Sequence, residues 1–256
     1  MCLVLVALGS HPEYPLIVAA NRDEFYDRPT APAAFWTDAP GVLAGRDLQA
    51  GGTWLGVDRR GRFAAVTNYR QGQREAAAYR SRGRLVSDFL MTGTPAQSYI
   101  ANVIEDAALY NGFNLIAGDA RALYYFSNRE GRARVLQPGV YGLSNHLLDT
   151  PWPKVSSAKQ ALGALLVGKE SELVGGLLSL LTDRRRAADE LLPSTGVGLE
   201  WERLLSSAFI ESTDYGTRSS TVLLVDRGGG VVFVERTYGP GGGRGGETHH
   251  EFRQDP

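Results

Sequence analysis

The chain opens with an unbroken apolar run, Met1 to Leu8, that stops at Gly9-Ser10. A turn carrying Pro12 and Pro15 follows, and a second apolar run occupies Leu16 to Ala20. Two short apolar runs on either side of a turn read as an antiparallel pair of strands, the first of them buried on both faces. A hairpin centred near Pro12 pairs positions whose numbers sum to about 24, because antiparallel partners run in opposite directions from the turn. Leu8 then faces Leu16, Val4 faces Ala20, and Cys2 falls opposite Arg22. Pairing alone therefore carries the chain's first small nucleophilic residue, Cys2, to the polar run Asn21-Arg22-Asp23-Glu24.

More hairpins follow the same pattern. Strands at 53–57 and 62–67 flank Asp58-Arg59-Arg60-Gly61. Strands at 114–117 and 123–127 flank Gly118-Asp119-Ala120-Arg121. Strands at 220–225 and 231–235 flank Gly228-Gly229-Gly230, and 139–143 is a shorter strand ending at Ser144-Asn145. Helices are expected at 84–91, 95–107, 153–167 and 170–181. The second has Thr94 as N-cap and Pro95 in its first position, and the third also begins with proline. The segment 182–198 reads as a loop. Residues 239–256 read as a disordered Gly-rich tail with little to bury, which leaves 1–238 as one domain. Hairpins with grouped helices describe an α+β layered domain. They exclude the βαβ alternation of a dinucleotide-binding fold, and the glycines at 239–246 open no helix.

Composition narrows the function classes. Twenty-seven basic side chains against 28 acidic ones leave a net charge of −1, with no bulk attraction to nucleic acid or anionic membrane. No apolar run approaches the roughly 20 residues of a membrane-spanning helix. The start lacks the basic region and cleavage site of a secretory signal. Cys2 is the only cysteine, so an internal disulfide and a Cys-based zinc cluster are excluded, and a reducing cytoplasmic compartment is expected.

Cys2 has two readings. One is a small buried hydrophobe in a strand. The other uses its position: a small second residue favours removal of the initiator Met1, leaving a thiol and a free α-amine on one residue. An α-amine titrates near pH 8, so it can serve as general base toward its own thiol. A neighbouring Arg22 guanidinium would favour the thiolate. The run 21–24 is likewise either a solvated strand end or a site cluster, with Asp23 accepting a hydrogen bond from the α-ammonium.

Several longer stretches carry a resemblance. They are Ala20-Asn21-Arg22-Asp23-Glu24-Phe25-Tyr26-Asp27-Arg28-Pro29-Thr30 and 44–56 (Ala44-Gly45-Arg46-Asp47 through Gly51-Gly52-Thr53-Trp54-Leu55-Gly56). To these add Val66-Thr67-Asn68-Tyr69-Arg70, Gly142-Leu143-Ser144-Asn145-His146, 148–155 (Leu148-Asp149-Thr150-Pro151-Trp152-Pro153-Lys154-Val155) and Gly216-Thr217-Arg218-Ser219-Ser220-Thr221-Val222. In this order, from residue 2 to about 238, they resemble the NRDE family, also called the transport-and-Golgi-organisation-2 family. The resemblance implies a four-layer αββα sandwich of the N-terminal-nucleophile hydrolase type. Penicillin V acylases and bile-salt hydrolases are cysteine members of that group. Carried over, Cys2 is the nucleophile, Arg22 its electrostatic partner and Asp23 the group orienting the α-amine. The hydrolases space their Arg and Asp differently from the adjacent pair here.

Asn68 and Asn145, each at an expected strand end, either contact an oxyanion or substrate, or terminate their strands. Arg218 either binds a substrate carboxylate or pairs with Asp214. Phe25, Tyr26, Trp36, Trp54 and Tyr69 either line a flat apolar site, with Trp54 and Tyr69 touching substrate, or pack the core.

The leading expectation is hydrolysis of a small non-peptide amide C–N bond by Cys2, with no cofactor and a small-molecule substrate. The alternative is a haem- or lipid-trafficking protein on the same scaffold, in which Cys2 or His146 would ligate iron. A third reading is a pure interaction protein. Fold alone does not choose among them.

Overall fold

The computed structural model describes residues 2–72 and 79–255. The chain runs β1 (Cys2–Leu8), β2 (Leu16–Phe25), β3 (Thr30–Phe35), β4 (Val42–Asp47), β5 (Leu55–Asp58) and β6 (Phe63–Asn68). Helices α1 (Gly83–Met91) and α2 (Ala96–Glu105) follow. Then come β7 (Phe113–Gly118), β8 (Leu123–Ser127), β9 (Ala133–Val135) and β10 (Gly139–Leu143). Helices α3 (Pro153–Leu165), α4 (Leu173–Leu180) and α5 (Leu199–Leu204) lead to β11 (Tyr215–Val225), β12 (Gly230–Tyr238) and β13 (Arg244–Arg253).

The first sheet has the order β10-β1-β2-β11-β12-β13, and the second runs β3 to β9 in sequence order. Every neighbouring pair is antiparallel. β1 and β2 pair with Cys2 opposite Arg22, Val4 opposite Ala20 and Leu8 opposite Leu16, the register implied by the sequence.

Strand alternation explains the layering. Val4, Val6 and Val18 point between the sheets, where they meet Leu55, Val57, Phe63 and Tyr125. Leu3, Leu5, Ile17 and Ala19 point the other way, against Val155, Leu162, Leu173 and Leu177 of α3 and α4. A third core joins Ala64, Val66 and Leu115 of the second sheet to Leu85, Phe89 and Ile100 of α1 and α2. The result is a four-layer αββα sandwich, and the continuous apolar run of β1 is what a strand covered on both faces requires. Among the described residues, no helix is long and apolar enough to cross a membrane.

Two sequence expectations need correction. Residues 239–256 are not a disordered tail: 244–253 form β13, paired along β12, so the folded domain extends past 238. Main-chain pairing needs no apolar side chain, and β12 offers it an open edge. Phe252 adds an anchor, packing on the inter-sheet core 5.5 Å from the Phe35 ring. At α2 the N-cap is Pro95, not Thr94: Pro95 is still extended, with φ −56° and ψ 143°. β3 and β4 were not expected at all. β3 carries Pro32, which an edge strand tolerates because the missing N–H need not pair.

Candidate active site

Cys2 and Arg22 share the inward face of the first sheet, while Asn21 and Asp23 share the face turned to the helices. The polar run is thus split between two layers. Asn21 is structural: its amide donates to Leu181 O and Ala208 O, both at 2.8 Å, and its Oδ1 accepts from Ser220 Oγ at 2.6 Å. Asp23 is buried, and its Oδ1 accepts from Thr217 Oγ1 at 2.8 Å.

Cys2, itself buried, lines a cleft of about 580 Å³ with Arg22, Glu24, Trp54 and Asn68. Residues 79–82 and Gly83 at the start of α1 also line it. Arg22 is only 5% exposed. Its guanidinium carbon lies 4.2 Å from the centre of the Trp54 ring, and Nη1 donates to Thr30 Oγ1 at 3.2 Å. Among the described residues no carboxylate forms an ion pair with Arg22. Glycine at 45 makes room for the indole, since a Cβ there would sit 2.4 Å from Trp54 Cη2.

The two asparagines have different parts. Asn68 lines the cleft, and no side-chain hydrogen bond engages it among the described residues. Asn145 is fully buried and does not line the cleft; its Nδ2 donates to Asn68 O at 3.0 Å. Ser144 Oγ donates to Cys2 O at 3.0 Å, and Thr67 Oγ1 donates to Ser144 O at 2.7 Å. The end of β10 thereby clamps the Cys2 strand in one sheet to the Asn68 strand in the other.

Arg218 and Tyr69 lie outside this cleft. Arg218 is the extra residue of a bulge in β11, between Thr217 opposite Asp23 and Ser219 opposite Arg22. Its Nη1 donates to Phe25 O at 2.7 Å and Arg28 O at 3.0 Å, and it lines a separate cleft of about 280 Å³ behind Trp54. The Tyr69 hydroxyl bonds His146 Nε2 at 2.7 Å, and His146 Nδ1 bonds Thr150 Oγ1 at 2.8 Å. Both ring nitrogens of His146 are engaged, so it presents none to iron. The cleft at Cys2 is walled largely by arginine, carboxylate and amide groups, a poor fit for a flat apolar macrocycle. Among the described residues no group of three His, Cys, Asp or Glu side chains could hold a metal ion.

Burial dominates the electrostatics. It pushes the Cys2 thiol up, Asp23 adds to the rise, and Arg22 pulls it back. Burial raises the Asp23 carboxyl, with Lys154 the strongest opposing charge. It lowers Arg22, and it brings Lys154 down to about 8. Ser144, Thr217 and Lys154 were not singled out from the sequence. Lys154 is a charged residue between Pro153 and Val155, a signal that could have marked it; Ser144 and Thr217 adjoin the polar Asn145 and Arg218 and carry no such signal.

A sequence-family model described as Transport and Golgi organisation 2 matches residues 1–240. The chain belongs to that family. A bovine Transport and Golgi organization protein 2 homolog is 43% identical over 276 residues, covering 99% of each chain. The human homolog is 39% identical over 257 residues, 93% of each. The Drosophila protein is 31% identical over 265 residues, 93% of this chain and 92% of its own. Among solved structures, two variants of the conjugated bile acid hydrolase from Clostridium perfringens each give a TM-score of 0.51. They are 9% and 10% identical and cover 99% and 98% of this chain, and 92% of their own. At that identity the likeness is one of fold: the chain shares the layered α+β architecture of these hydrolases.

Proposed function

We propose that the cleft hydrolyses a small non-peptide C–N amide bond with Cys2 as nucleophile. The observation that carries this reading is the group lining it: the lone thiol and, among the described residues, a buried arginine with no ion-paired carboxylate and an asparagine side chain with no hydrogen bond. With Met1 removed, the Cys2 α-amine takes the thiol proton. The sulfur attacks the carbonyl carbon, and the developing oxyanion accepts from Asn68 Nδ2 beside the Arg22 charge. The C–N bond breaks as the α-ammonium returns its proton to the leaving amine. Water, deprotonated by the same amine, then attacks the thioester and releases the acid and the free thiol. Burial keeps the thiol protonated at neutral pH, which makes a base on the same residue useful. A reducing cytoplasmic setting would keep the only cysteine free.

The test is an amide-library screen on protein whose intact mass establishes removal of Met1, a residue outside those described. Cys2→Ala should lower turnover by about 10⁴-fold or more with the fold retained. Asn68→Ala should lower it by about 10²-fold. Retention of Met1 in most molecules would remove the base. Tight haem binding in a parallel titration, with no Cys2-dependent turnover across the library, would replace this reading with that of a carrier.

A further inference from the structure

One buried ionisable group has no place in the scheme above. Lys154 is the second residue of α3, the helix packed on the outer face of the first sheet. It is 4% exposed, and its Nζ has no hydrogen-bond partner. A buried ammonium without hydrogen bonds is costly, and persists where a nearby charge offsets the loss of water.

Four charged or titratable groups act on it: Asp23 from β2, Cys2 from β1, Glu202 from α5, and Arg70 from the segment after β6. Glu202 is occupied. Its Oε2 accepts from Arg70 Nη1 at 2.6 Å, and its Oε1 accepts from Thr195 N at 2.8 Å and Thr195 Oγ1 at 2.6 Å. Arg70 repels an ammonium. Asp23 faces the layer in which Lys154 lies, and the relation is reciprocal: each is the strongest charge acting on the other. We propose that Lys154 is a positioning residue of the Cys2 site, the counter-charge that acts on Asp23 from the helix side of the sheet.

The chemistry gives that counter-charge a purpose. Asp23 is suited to orient the terminal amine, but a bare carboxylate there raises the neighbouring thiol and holds the amine protonated. Lys154 offsets both effects without entering the cleft, where an ammonium would compete for substrate. The proposal rests on Cys2 being the reactive group, as in the hydrolase reading, but its test needs no turnover.

Cys2 is the only cysteine, so iodoacetamide alkylation reports on it alone. The rate is measured against pH in the native protein, Lys154→Met, Lys154→Arg and the double variant Lys154→Met/Asp23→Asn. Lys154→Met should slow alkylation at pH 7 by about tenfold, with the two profiles converging above about pH 8 as native Lys154 gives up its proton. Lys154→Arg and the double variant should both return toward the native profile. A Lys154→Met profile that overlays the native one would overturn the proposal, as would a double variant as slow as the single. If Lys154→Met does not fold, the same change in the Asp23→Asn background should fold, and failure there too would show that Lys154 acts by packing. A shift without amide turnover sinks the hydrolase reading alone; turnover without a shift sinks only the role of Lys154.

Discussion

Arg22 and Trp54 depend on an absent methyl group at position 45. A Cβ on Gly45 would lie 2.4 Å from Trp54 Cη2 and 2.6 Å from Cζ2, so Gly45→Ala must move the indole. Overpacking of this kind costs about 1–3 kcal/mol, and the displaced ring would no longer support the Arg22 guanidinium. Urea unfolding should show that loss, together with a change in native tryptophan fluorescence. An unchanged midpoint and spectrum would mean the indole has room to spare. At this scale the sequence was informative about place and less so about charge. The hairpin puts Arg22 beside Cys2, and a neighbouring guanidinium favours a thiolate. Burial of Cys2 outweighs that attraction, and burial depends on residues such as Ser144 that reach the site from the middle of the chain.

Among the elements, β13 is the clearest test of what holds the edge of the first sheet. Its sequence is mostly polar and its side chains are largely exposed, apart from partly covered ones such as Phe252. Phe252 touches the inter-sheet core, and His250 meets the Phe35 ring at 5.9 Å. Phe252→Ala should cost about 2 kcal/mol, less than a fully buried phenylalanine because the ring is only partly covered. Ending the chain at 243 should expose the β12 edge and promote association through it. Denaturant midpoints and light scattering read the two effects; a tail that could be removed without either would be ornamental. Periodicity made the hairpins β1–β2, β5–β6, β7–β8 and β11–β12 legible, because each buries apolar side chains locally. β13 was not legible because its stability comes from backbone pairing to a strand already formed. β3 was hidden by Pro32, whose tolerance depends on an edge position that only the assembled sheet defines. Asn145 follows the end of its strand, as the sequence implied, and its amide donates to Asn68 O.

For the molecule as a whole, the site is a set of charges held against their preference. Burial raises Cys2 and Asp23 and lowers Arg22, and on the helix side of the sheet it lowers Arg70 and Lys154. The consequence for stability is sharpest at Lys154, whose value falls from 10.5 to about 8 on folding. Between those values the unfolded chain binds more protons at this residue than the folded one, so its contribution to stability rises with pH. Below about pH 8 the folded protein carries the full burden of a buried ammonium; as pH climbs toward 10.5 that burden is relieved, by about 3 kcal/mol at most. Cys2 opposes this trend, since its folded thiol ionises later than the unfolded one and stability falls as pH passes the unfolded value of 9.0. The two are separated by difference. Chemical denaturation of native protein and of Lys154→Met, repeated from pH 7 to 10, should give a stability gap that moves in favour of the native protein as pH rises. The thiol contribution is common to both and largely cancels, although loss of the Lys154 charge shifts it slightly. A gap that stays constant across that range would mean that Lys154 keeps its ordinary affinity for the proton, and that the layer behind Asp23 is wetter than its burial implies.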